Sequence, residues 1–202
     1  MYWQRKCIKI GKPAVNLLPK HITMSIRNVL TCLILGFALH ANAQNPATFP
    51  ASWTGVWAGD LLIHNAKGLA QTVPMEVNIR PVPGSSRYDW ITVYNRDTLA
   101  GKRPYTLLVR DAEAGHYAID ENNNIILDAY LLGGKLFNSF EVEGQLLVCT
   151  YEMQGENLVF EVIAGPTEPV AITGGGEAGA EKIPEVKSFK VTVMQRAVLK
   201  RR

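Results

Sequence analysis

Between Ser52 and Lys200 apolar and polar residues alternate with a period of two, in one short segment after another. That period belongs to strands with one buried face; an amphipathic helix would return its apolar residues every three to four positions. In QTVPMEVNIR, Val73, Met75, Val77 and Ile79 share a face. In DWITVYN, Ile91 and Val93 oppose Trp90, Thr92 and Tyr94. The pattern recurs with Tyr105, Leu107 and Val109, with Tyr117 and Ile119, and with Leu136, Asn138, Phe140 and Val142. It returns with Leu147, Cys149, Tyr151 and Met153, with Leu158, Phe160 and Val162, and with Phe189, Val191 and Val193. Together with SWTGVWAGDLLIH these make about ten strands. The links VPGSS, ENNN, GG, EG and QGE are short and rich in Gly or Asn, which suit positive φ, so consecutive strands are expected to be antiparallel neighbours. No segment has a convincing helical period, and there is no internal repeat.

The expected fold is all-β: a single antiparallel up-and-down barrel of about 8–10 strands, because closure buries the shared face and removes both sheet edges. A β-sandwich core would use the same alternation. The first strand adds a clue, since Trp53, Gly55, Trp57 and Gly59 put the largest and smallest side chains on one face. At the tapered end of a small barrel, one flat ring closes the base and glycines admit a neighbouring backbone.

Gly55-Val56-Trp57 on the first strand resembles the G-x-W signature of the lipocalins and the wider calycin superfamily. The strand count is similar to that of the ten-stranded fatty-acid-binding relatives, and the chain as a whole resembles the lipocalin-like exported proteins of bacteria. The resemblance implies that Trp57 closes the barrel floor and that an arginine packs across it. Arg196 is the best match by position and Arg201 the second. The chain departs from secreted lipocalins in lacking a clear helix before the last strand and a disulfide pair.

Met24–Gln44 reads as a secretory signal peptide. Arg27 precedes an uncharged, mostly apolar run, Val29–Leu39, and Ala41-Asn42-Ala43 is a small-residue cleavage site. The run is too short to span a membrane, which takes roughly 20 residues. The expected division is 1–23 as a start-site artefact or extended leader, 24–43 as signal peptide, and 44–202 as the barrel domain with a long loop at 164–187. The mature protein would then be periplasmic or extracellular, without a transmembrane segment. Residues 1–43 hold 6 of the 21 Lys and Arg and none of the 18 Asp and Glu, which leaves 15 basic and 18 acidic residues, net −3, in 44–202. The basic balance thus belongs to the leader, and nothing points to nucleic acid. Of three cysteines only Cys149 lies beyond the leader, so packing rather than a disulfide must hold the fold.

No catalytic constellation is present. His64 and His116 stand in separate strands without metal-ligand spacing, DENNN lacks the glycine and glutamate of a calcium loop, and there is no Gly-x-Ser-x-Gly elbow. TGGGEAG lacks the Lys-Ser/Thr ending of a phosphate loop. No metal or cofactor is therefore expected, and a hydrolase or isomerase built in the barrel cavity ranks last among the readings, for want of a nucleophile–base pair. Asp128, the one acid in an apolar strand, is placed inside the barrel with Tyr130, which shares its parity. Asn138 and Tyr151 complete the set of interior polar groups that would orient a ligand. The expected role is binding a small apolar or amphipathic molecule. The alternative is an envelope interaction or assembly protein with a side-chain-filled barrel that meets its partner through loop 164–187. That loop is either an ordered lid over the mouth or a mobile surface insertion.

Overall fold

A computed structural model describes residues 48–179 and 181–202, so the expectations for 1–23 and 24–43 lie outside the described residues. The strands, in chain order, are β1 (Gly55–Asn65), β2 (Gly68–Pro81), β3 (Arg87–Tyr94), β4 (Lys102–Asp111), β5 (His116–Asp120), β6 (Ile126–Leu132) and β7 (Lys135–Val142). They continue with β8 (Gln145–Gln154), β9 (Asn157–Pro166), β10 (Pro169–Thr173), β11 (Glu177–Ala178), β12 (Glu181–Lys182), β13 (Val186–Phe189) and β14 (Val193–Arg201). β1 to β9 pair antiparallel in sequence order, and β14 pairs with both β9 and β1, closing a ten-stranded up-and-down barrel. The closing register runs from Trp57 opposite Arg201 to His64 opposite Met194. No barrel strand is left with an open edge, and the sandwich alternative is excluded.

The alternation maps onto the wall as expected. Val73, Met75, Val77 and Ile79 of β2 are buried, as are Trp90 and Thr92 of β3 and Leu158, Phe160 and Val162 of β9. The tightest links are two-residue turns. Gly133-Gly134 and Glu143-Gly144 have positive φ at both positions (59° and 82°, 50° and 72°), the backbone that matches the twist of a hairpin. DENNN is an Asn-rich hairpin: Asp120 accepts the Asn122 N–H at 2.8 Å, Asn123 accepts the Ile125 N–H at 3.0 Å, and Asn122 and Asn124 adopt positive φ.

The end where β1 begins and β14 finishes is solid. Trp53, in a 3₁₀ turn over Ala51–Trp53, offers its carbonyl to the Trp57 indole N–H at 2.9 Å. Phe49 packs edge-on against Trp53 (4.6 Å between ring centroids) and Tyr117 (4.8 Å). Above them Trp90 meets Tyr151 edge-on at 5.1 Å, and Tyr151 meets Phe160 at 4.8 Å. Tyr117 is paired with Ala129 across β5 and β6, and the small residue leaves room for the large one. Gly59 serves backbone approach: a methyl group there would lie 2.6 Å from the Val198 carbonyl oxygen of β14.

The segment expected as an irregular loop is strand-rich. β10 pairs with β13, and β11 with β12 in a smaller hairpin beyond, making an arm between β9 and β14. Phe189 therefore belongs to the arm rather than to a continuous last strand. The arm's base is held down by Thr192, whose N–H and hydroxyl both donate to the Ala164 carbonyl (2.8 and 3.1 Å), and Gly165 leaves the Lys190 carbonyl space that a methyl group would fill.

Candidate functional site

The arginine across Trp57 is Arg201, which corrects the choice of Arg196. The Arg201 guanidinium carbon stands 4.5 Å from the Trp57 ring centroid. A methyl at Gly55 would lie 3.1 Å from the guanidinium, so the glycine of the G-x-W triplet leaves the arginine its place. Arg196 has the opposite parity and points outward, where its Nε donates to Glu161 at 3.1 Å. Lys135 joins the same carboxylate at 3.4 Å and Glu152 at 3.7 Å, forming a charge ladder on the outer wall.

Above the aromatic stack the barrel is hollow, with a cavity of about 260 Å³ toward the mouth. Its wall is apolar and aromatic: Ile119, Leu127, Leu136, Phe140, Leu147, Phe160 and Val162. The residues with polar groups along it are Tyr94, Tyr105, Tyr151, Trp90, Thr92, Cys149, Asn138, Gln195 and Glu121. Burial pushes the Tyr94 phenol up to about 12 and the Cys149 thiol up to about 11. Burial, with Tyr94 beside it, drives Tyr151 further in the same direction. Tyr105 is raised by burial and by the Glu121 carboxylate. All four groups are thus neutral at ordinary pH, and Cys149 is an inert thiol.

Trp90 and Thr92 are each 1% exposed, yet Trp90 Nε1 and Thr92 Oγ1 have no hydrogen-bond partner among the described residues. Both face the Tyr151 hydroxyl and partly offset the rise of its pKa, without completing a hydrogen bond to it. Buried polar atoms in native folds are nearly always paired, and these two are enclosed in the wall beside Tyr151 rather than open to the cavity.

The sequence-derived set divides. Asn138 and Tyr151 line the cavity, with Asn138 Nδ2 anchored on the Asp128 carbonyl at 2.8 Å. Asp128 and Tyr130 do not: Leu127, Ala129 and Leu131 face inward, and the Asp128 side chain is 65% exposed. The parity of β6 is decided by which face is apolar throughout, and an interior Asp128 would have lost its hydration without a cation to pair with. Outside, Asp128 accepts from His116 at 2.8 Å, and the His116 ring stacks on Tyr130 at 5.0 Å. The β5–β6 register, with Ala118 opposite Asp128 and His116 opposite Tyr130, makes that cluster. Sequence reasoning missed Trp90, Thr92, Tyr94, Tyr105 and Glu121 as cavity groups. The alternation of β3 had already put the first three on one face; only which face was open.

Among the described residues there is no group of three or more His, Cys, Asp or Glu suited to a metal ion, and no helix long and apolar enough to cross a membrane. No described residue of the arm lines the cavity, so among the described residues the arm adds no lid side chain to the site. No protein-family model and no curated protein sequence matches the chain. Among solved structures it is similar to an S-type phycobiliprotein lyase from Guillardia theta, at 11% identity and a TM-score of 0.46, over 74% of this chain and 88% of that one.

Proposed function

We propose that this is an exported lipocalin-like protein that binds a small amphipathic molecule in the upper half of its barrel. The cavity above the aromatic stack carries the reading. It has an apolar wall to supply affinity by burial and a few converging polar groups to fix orientation. At about 260 Å³ it lies just below the usual range for drug-sized ligands and has room for roughly nine waters' worth of liquid, hence a molecule of about ten non-hydrogen atoms. Export rests on the Met24–Gln44 segment. Native mass spectrometry of residues 44–202 recovered from an exporting host tests both. The expected result is a mature mass beginning at Gln44 with an added, denaturation-releasable small mass. A bare mass that does not change on incubation with mixed lipids and porphyrins counts against ligand carriage.

A second reading is favoured by the arm, where Val170, Ile172, Val186 and Phe189 are all exposed on a two-stranded ribbon. On this reading the protein is an envelope interaction module and the arm meets a partner. Loss of co-purifying protein on removal of the arm, with the cavity ligand retained, would favour it.

A further inference from the structure

Resting on the ligand-binding reading, we infer that the cavity takes a small zwitterion of the α-amino acid class, its apolar tail inside and its head at the rim, where Glu121 meets the ammonium and Arg103 the carboxylate. The register of β3, β4 and β5 puts both charges on the inner face of the mouth. Arg103 has the parity of Tyr105 and Leu107 and stands directly opposite Thr92, which lines the cavity. Glu121 also lines the cavity, one step past the Thr106–Asp120 pair, which brings it alongside Tyr105. Asn122 holds that segment in place, its Nδ2 donating to the Pro104 carbonyl and, at 3.2 Å, to the Thr106 hydroxyl. Arg103 is then the diagonal neighbour of Glu121, a separation that long side chains span.

The two charges share the rim without pairing. Arg103 Nη1 donates to the Ala100 and Lys102 carbonyls at 2.9 and 3.1 Å, which holds the guanidinium at the rim with its Nε and Nη2 donors unused. Among the described residues neither Arg103 nor Glu121 has an ion-pair partner. Both fields reach one hydroxyl: beyond the rise that burial gives the Tyr105 phenol, Glu121 raises it and Arg103 lowers it. Such a rim carries a dipole and little net charge. An alkyl carboxylate gains at Arg103 and loses at Glu121, and an alkyl ammonium does the reverse. A head with both charges gains at both. It keeps part of its hydration, because Arg103 is exposed and Glu121 half-buried, so the full cost of burying a charge is not met. At about 260 Å³ the cavity has no room for the two long acyl chains of a zwitterionic phospholipid.

The test uses residues 44–202 and four probes that share a hexyl tail on the carbon bearing the head: 2-aminooctanoic acid, octanoate, heptylamine and 1-heptanol. Dissociation constants at pH 7 are measured by calorimetry. The amino acid is expected to bind at least about threefold tighter than octanoate and than heptylamine, the scale of partly exposed charge pairs. Arg103→Gln should erase its advantage over heptylamine, and Glu121→Gln its advantage over octanoate. Arg196→Gln, on the outer wall, should change neither ratio. If octanoate or heptylamine binds as tightly as the amino acid, or the advantage survives both rim substitutions, the zwitterion is overturned while ligand binding stands. If none of the four probes binds, the ligand-binding reading itself fails.

Discussion

The Arg201 guanidinium lies over the Trp57 ring, 4.5 Å from its centroid, in space that Gly55 leaves free. The last residue of the last strand thereby locks the first strand, directly across the seam that closes the barrel. Cation–π pairs contribute about 0.5–1 kcal/mol when exposed and more when desolvated. Arg201→Gln should cost about 1 kcal/mol in urea unfolding and shift the tryptophan emission. Arg196→Gln, which loses only a half-exposed ion pair with Glu161, should leave the emission unchanged. Equal spectral effects of the two substitutions would count against Arg201 as the closing residue.

Gly59 is held by the approach of β14. Gly59→Ala puts a methyl 2.6 Å from the Val198 carbonyl oxygen, so one strand must move, at a cost of about 1–3 kcal/mol. Gly176→Ala, in the arm with nothing within 4 Å, is the control and should be close to neutral. Chemical denaturation of the two variants reads the difference.

Stability should fall on the alkaline side. The folded barrel raises Tyr94 from 10.0 to about 12 and Cys149 from 9.0 to about 11, and raises Tyr105 and Tyr151 as well. The folded state therefore holds these protons more tightly than the unfolded chain. Their contribution is complete below about pH 9 and is lost as pH climbs through 11 and 12. Tyr94→Phe removes roughly 2 kcal/mol of that loss at the top of the window. Its alkaline unfolding midpoint, read by circular dichroism, should move to higher pH. An unchanged midpoint would mean that Tyr94 ionises without strain.

Cys149 reports on the cavity from inside. With its thiol pushed up to about 11 by burial, it should react slowly with an aromatic disulfide reagent at pH 8 and quickly in urea. Occupancy of the cavity by a small apolar molecule should slow the folded-state reaction further, because Cys149 lines the same cavity. Fast labelling of the native protein would contradict the enclosed position.

The arm is separable from the barrel's closure. Replacing residues 170–187 with a short Gly-Ser link should leave the thermal midpoint within a few degrees, since β9 and β14 pair from Val193–Ala164 to Lys200–Asn157 without it. Collapse of the barrel in that variant would show the arm to be structural.

How much was legible in advance follows from what each residue needs to know about the rest of the chain. Trp57, Val77 and Leu158 could be assigned to the interior because a period of two is local physics: burying one face of a strand requires apolar residues at alternate positions. The turns were equally local, since two positive φ angles call for glycine or asparagine, as at Gly133-Gly134. The number of barrel strands and their antiparallel order follow from those two facts. Arg201 was nearly legible, because it shares parity with Val193, Ala197 and Leu199, whereas Arg196 does not. In β6 both parities offered apolar residues, but only Leu127, Ala129 and Leu131 make a face that is apolar throughout, and Asp128 faces solvent.

The amino-acid sequence by itself thus determined an all-β chain with a large-and-small first strand. The tertiary structure decided that β1 meets β14, that Arg201 caps Trp57, and that aromatic rings fill the lower half of the barrel while the upper half stays open. Those outcomes depend on register between strands distant in the chain and on the volumes of side chains meeting across the interior. Alternation carries no information about either, because it says which face a residue takes and not what it will find there.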